Sequence, residues 1–246
     1  MNFVYFDEIQ RILTEVREQE EQNLDQAVNL LCEAIKSKHS IFIFGASHAG
    51  ILSEELFYRA GGLVVMNPIF GREIMLDTSP ITKTSEMERL EGYGKVLAMK
   101  TPFKKDDLLI IHSVSGRNPV AIDLALEASK NGVKVIALTN VTYSKQVKSK
   151  HSSGKNLYEV SDLVIDNHGE QGDACVAIEG LPQKVAASST VVGATILNSL
   201  VAACVERLVQ NGMEIPPVFY SANIDGGDEK NRFIVEEYKD VIHYKF

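Results

Sequence analysis

The chain has 246 residues, 45% hydrophobic and 24% charged, enough to bury one large core or one core with additions. Its formal net charge of −8 argues against a nucleic-acid-binding surface. The three cysteines, Cys32, Cys175 and Cys204, lie far apart with no CxxC pair, which favours buried thiols in a reducing compartment over a disulfide framework.

The first residues, Met1 to Glu8, lack the basic stretch that opens a signal peptide, so a cytoplasmic protein is expected. From Phe3 to Lys36 the apolar residues Ile9, Ile12, Leu13, Val16, Leu24, Ala27, Val28, Leu31 and Ile35 recur at three- and four-residue spacing, which predicts helix. The charged block Glu15 to Glu21 inside it reads as a solvated stretch or a bend. Ile41-Phe42-Ile43-Phe44 then predicts a strand buried on both faces, running into the small-residue loop Gly45-Ala46-Ser47-His48-Ala49-Gly50. A helix from about Ile51 to Ala60 is expected to stop at Gly61-Gly62, followed by a strand over Leu63 to Met66.

Residues 69–105 are the least regular part, with short helices expected around Thr84 to Leu90 and Gly94 to Lys100. Leu108 to Ile111 predicts a third buried strand. It leads into His112-Ser113-Val114-Ser115-Gly116-Arg117-Asn118 and a helix that Pro119 is well suited to open. Such a turn combines hydroxyl and amide donors with the positive end of a helix, and an anion fits there. A polar helix cap would use the same residue types.

Val133 to Leu138 and Leu163 to Asp166 predict two more strands, and Lys184 to Gln210 a long helix. Val185 to Cys204 has no charged residue, but its serines, threonines and asparagine suit a core or interface helix better than a membrane span. The last segment runs through Pro216-Pro217 and Asp225-Gly226-Gly227-Asp228, read as a solvated turn, to an amphipathic piece from Phe233 to Val241. Strands alternating with helices imply right-handed βαβ units and a mostly parallel sheet, with ligands bound beyond the carboxyl ends of the strands. Both small-residue loops fall there.

The first loop is not GxGxxG, and the second strand does not end in an acidic residue, so a dinucleotide site is not expected. No P-loop motif occurs, and the six histidines show no metal-ligand spacing. No cofactor and no metal are expected.

The two loops and the strand–helix order resemble the SIS (sugar isomerase) domain proteins, which bind phosphosugars. Ser113-Val114-Ser115-Gly116-Arg117-Asn118 is similar to the family's Ser-x-Ser-Gly-x-Ser/Thr phosphate turn, with Asn118 at the last place. Gly45-Ala46-Ser47-His48-Ala49 departs from the first family loop at two positions, with Ala49 where serine is expected. Ser53 to Gly62 and Ser221 to Asp228 are similar to a phosphoheptose-isomerase-like bacterial branch.

The resemblance implies an SIS-type three-layer α/β/α fold. A helical extension would span 1–35, the phosphosugar-binding domain 36–212 and a tail 213–246. It implies a sugar-phosphate ligand held by Ser113, Ser115, Gly116, Arg117 and Asn118, with Ser47, His48 and Ser189 positioning it. Aldose–ketose isomerisation needs an acid/base group, and Glu55, then Glu54, on the helix after the first loop are the candidate bases, with His48 beside them. A phosphosugar lyase or etherase, or a non-catalytic sensor acting through a protein partner, would use the same binding loops. The expected assembly is a homodimer or a dimer of dimers, without nucleic-acid or membrane partners.

Overall fold

The computed structural model describes residues 3–245. Met1, Asn2 and Phe246, at the ends of the expected extension and tail, lie outside the described residues. Two N-terminal helices, α1 (Val4–Gln19) and α2 (Glu21–Lys36), break at Glu20 inside the charged block. Their apolar stripes bury Ile12, Val16, Ala27, Leu31 and Ile35 in the same cluster as the central strands, so they complete the core.

Five strands, β1 (Ile41–Gly45), β2 (Met66–Pro68), β3 (Leu108–His112), β4 (Lys134–Thr139) and β5 (Leu163–Asp166), form one sheet in the order β2-β1-β3-β4-β5. Every pairing is parallel. Alternation along the strands divides the core in two. Ile41, Ile43, Leu108, Ile110, Ile136 and Leu138 face α1, α2 and the long helix α8 (Ser189–Gln210). Phe42, Phe44, Leu109, Ile111, Val135 and Ala137 face α5 (Tyr93–Lys100) and α6 (Pro119–Lys130). The result is a three-layer α/β/α fold whose strands are apolar on both faces because both faces are covered.

Register fixes where a site can lie. Gly45 pairs with His112, His112 with Leu138, and Thr139 with Asp166, so the loops that follow these strands share one edge. In the order 2-1-3-4-5 the connections diverge between β1 and β3, and a crevice opens at that switch point. The two small-residue loops flank it.

Three expected elements are shortened by tertiary contacts. The helix after the first loop, α3 (Ile51–Glu55), ends well before Ala60. There Phe57 packs edge-on against Phe70 and Tyr244, and Tyr58, at φ +47°, packs against Phe219. The strand expected over Leu63 to Met66 starts only at Met66, because Leu63 bridges Val218 and the Val64 N–H donates to the Pro217 carbonyl. The long helix starts at Ser189 rather than Lys184. Val185–Ala187 instead forms β7, paired antiparallel with β6 (Ala174–Val176).

The irregular region holds α4 (Thr82–Arg89) ahead of α5, and after β4 comes the short α7 (Val141–Gln146). The tail forms α9 (Gly227–Glu237), where Ile234 and Val235 join the first core cluster. Among the described residues α8 is the one helix long and apolar enough to cross a membrane. Its buried Val192, Ile196, Leu197, Leu200 and Cys204 pack within the same core as α2.

Candidate functional site

The serine turn after β3 is shaped by where its carbonyls go. Ser113 O and Val114 O accept from the Thr139 hydroxyl at 2.6 and 3.1 Å, and the Asn140 N–H also donates to Val114 O at 3.0 Å. Gly116 O takes the Leu157 N–H at 2.8 Å, and Arg117 O the Lys150 N–H at 2.9 Å. With these carbonyls tied to β4 and the 150–157 loop, no described group accepts the N–H groups of residues 114–118, nor the hydroxyls of Ser113 and Ser115. Gly116 holds φ +61°, and a Cβ there would meet Ser144 Oγ at 3.0 Å, so the turn requires glycine. Asn118 stands just before α6 in extended conformation without a capping bond from its side chain, and Pro119 follows at the first helical position. Unclaimed N–H groups just before a helix start, together with the helix dipole, suit an anion.

The first loop folds back on itself as a 3₁₀ turn over Ser47–Gly50. A Cβ on Gly45 would lie 2.2 Å from Ala49 O, so only glycine permits this reversal. Ser47 adopts φ +49°, and its Oγ donates to Glu88 Oε1 at 2.5 Å. Asn118 Nδ2 donates to Glu88 Oε2 at 2.7 Å. One carboxylate from α4 thus links the two loops across the crevice.

Two adjoining clefts share Ser47 in their walls. The smaller, about 180 Å³, is lined by Ser47, His48, Glu88, Ser113, Ser115 and Asn118, with His112 at its base. The larger, about 450 Å³, is lined by Gly45, Ser47, Ile51, Glu54, Gly71 and Asp77. The charged groups nearest the serine turn are mixed: burial lowers the affinity of the Lys150 amine for its proton, Arg89 and Arg117 lower it further, and Glu88 opposes them. Arg117 is half-buried, and its Nε has no protein partner.

His112 is buried beneath both loops. Its Nδ1 lies 3.2 Å from Ala49 O, and a carbonyl can only accept, so Nδ1 carries the proton and Nε2 holds a lone pair with no partner. Burial pushes the ring down to about 4, against weaker opposing effects of the Ala49 bond and Asp173, so it is neutral at pH 7.

The structure brings Ser47, His48, Ser113, Ser115 and Asn118 into one cleft, with Gly116 and Arg117 shaping its turn and Glu54 in the adjoining cleft. It places Glu55 and Ser189 elsewhere. Glu55 forms an ion pair with Arg59 and accepts from Asn198 Nδ2 at 3.1 Å on the side of α8. Ser189 is 3% exposed and gives both its N–H and its hydroxyl to the Asp173 carboxylate, each at 2.7 Å. Glu88 is not among the residues the sequence singles out: it lies in a short expected helix far from either loop in sequence, and only the packing of α4 brings it to them. No group of three metal-ligating side chains occurs among the described residues.

Residues 4–140 match the SIS domain family. The chain is 54% identical over 240 residues to the UPF0309 protein of Shouchella clausii, covering 98% of this chain and 97% of that protein. It is 52% identical over 240 residues to the UPF0309 protein of Oceanobacillus iheyensis, with the same coverage of both chains. Among solved structures, a phosphoheptose isomerase from Francisella tularensis superposes with a TM-score of 0.55 at 15% identity, over 81% of this chain and 94% of that one, a likeness of fold. On the family match across more than half its length and on these full-length relatives, the chain belongs to the SIS domain family and to its UPF0309 proteins.

Proposed function

We propose that the protein binds a phosphorylated sugar at the switch-point crevice and interconverts its aldose and ketose forms. The observation that carries the binding is the serine turn, where Ser113 and Ser115 line the cleft, the N–H groups of residues 114–118 have no protein acceptor and α6 begins at once after Asn118. These donors suit a phosphoryl dianion. The adjoining cleft of about 450 Å³ suits a sugar chain, and Ser47 lies where phosphate and sugar would meet.

Isomerisation moves a proton between C2 and C1 of the open-chain sugar through an enediol, while a second group shuttles the hydroxyl proton. Glu54 lines the sugar-sized cleft and is the base of this proposal, ahead of Glu55, whose carboxylate is held by Arg59 and Asn198. His48 lines the phosphate-side cleft and is placed to serve the hydroxyl proton. The site works from a homodimer, with the sugar phosphate as its small-molecule partner.

The test is to incubate the protein with heptose, hexosamine and pentose phosphates in deuterium oxide and follow C2 by NMR. Deuterium at C2 with appearance of the isomeric sugar supports isomerisation, and Glu54→Gln should abolish it while binding persists. Loss of a substituent from the sugar would establish a lyase instead, and tight binding without exchange a sensor.

A further inference from the structure

Two donors from two different loops, Ser47 Oγ and Asn118 Nδ2, converge on the carboxylate of Glu88, one on each oxygen, at 2.5 and 2.7 Å. Both donors line the small cleft beside Ser113 and Ser115. A carboxylate presents two acceptor oxygens on an anion, the same features a phosphoryl group offers to such donors. We propose that Glu88 competes with phosphate for Ser47 and Asn118, and that the phosphoryl group of the substrate displaces it from them. This rests on the sugar-phosphate reading and adds how the site selects its ligand.

Three features support the assignment. First, a dianion seated on the serine turn would meet the Glu88 charge across the cleft, a repulsion that displacement removes. Second, α4 is more lightly anchored than α5 or α6: only Thr84 is fully buried and Met87 packs partly buried on the second core cluster, so the Glu88 side chain can turn away with little loss of packing. Third, Lys150, whose backbone N–H donates to Arg117 O at 2.9 Å, feels Arg89, Arg117 and Glu88 together, so the three basic groups neighbour the same carboxylate. Withdrawal of Glu88 would leave that basic rim to the phosphate. An anion must then supply enough acceptors and charge to outcompete a tethered carboxylate, a filter against weak monoanions.

The experiment is calorimetric titration of inorganic phosphate, at fixed pH and ionic strength, into the wild type, Glu88→Gln, Glu88→Ala and the Ser113→Ala/Ser115→Ala variant. Because the Glu88 side chain is only partly buried and makes no core contact of its own, both single variants should fold, and circular dichroism checks this. The expected result is phosphate binding at least tenfold tighter in both Glu88 variants and lost in the double serine variant. Unchanged or weaker binding in the Glu88 variants, with wild-type binding still dependent on the serines, overturns the competition and leaves the sugar-phosphate reading standing. Absence of phosphate binding in the wild type and in both Glu88 variants overturns both. Chloride or acetate gaining as much as phosphate in Glu88→Gln overturns the filter.

Discussion

Two helices start at the ligand-facing edge of the sheet, and they treat their free N–H groups in opposite ways. At α8 the Asp173 carboxylate takes the N–H groups of Ser188 and Ser189 at 3.1 and 2.7 Å and the Ser189 hydroxyl at 2.7 Å. At α6 the residues from Val114 to Asn118 keep their N–H groups clear of protein acceptors, and the Glu88 carboxylate takes the Asn118 and Ser47 side chains but none of these N–H groups. The first start is satisfied internally and anchors a buried helix. The second is left without a protein acceptor, as the proposed phosphate site requires. A serine at a helix start therefore says little by itself, and the neighbouring carboxylate decides its use.

This contrast can be broken in several ways. The largest effect is expected from pH through His112, which lies under Ala49 and within the field of Asp173. Its folded-state value is lowered to about 4, so the unfolded chain binds the proton first as pH falls. Stability should then be intact above about 6.5 and decline down to about 4, by about 3 kcal/mol in all. His112→Gln should flatten that part of the pH–stability curve in urea titrations. An unchanged slope would mean that the ring takes up its proton freely in the folded protein.

The next largest concerns the open start. Ser113→Ala/Ser115→Ala removes two donors to a charged ligand, each worth about 1.5 kcal/mol, so sugar-phosphate affinity should fall about a hundredfold with little change in melting temperature. A drop of less than threefold would place the phosphate elsewhere.

At the closed start, Asp173→Ala strands the Ser189 donors in a buried setting and should cost about 2 kcal/mol of stability, read as a lower urea midpoint. Phosphate affinity at α6 should stay within about twofold. If affinity falls with stability, the two helix starts form one site.

The smallest effect comes from the ion pair between His168 and Glu20, at 3.2 Å, which holds the loop after β5 to the break between α1 and α2. The hydrogen bond to Glu20 raises the imidazole against the opposing effect of burial. Burial pushes the Glu20 carboxyl up, but bonds from His168, Asn23 and the Asp166 N–H carry it below its usual range. A raised histidine stabilises fully below its unfolded value and loses that contribution as pH rises through its folded value. A lowered glutamate stabilises above its unfolded value and loses that as pH falls. The pair therefore contributes most between about pH 4.5 and 6.5. His168→Asn should remove about 1 kcal/mol there and less at pH 8, measured by thermal melts.

Much of this protein is set by local pattern. Runs such as Ile41–Phe44 and Leu108–Ile111 can be little else than strands buried on both faces, and alternation with helices leaves a parallel sheet as the solution. The ligand edge follows, because glycines at 45 and 116 and the proline at 119 allow the reversals and the helix start there. Tertiary structure decided what local pattern does not encode. Phe57 and Tyr58 left their helix for an aromatic cluster with residues 219 and 244, and Leu63 paired with the distant Val218. Glu54 and Glu55, adjacent in a helix, were sent to different surroundings by about a 100° rotation per residue. Glu88 reached Ser47 and Asn118 from 41 and 30 residues away. Periodicity reports which side of an element is apolar. Which charged group meets which donor depends on how those sides are stacked, and that is settled only when the layers close.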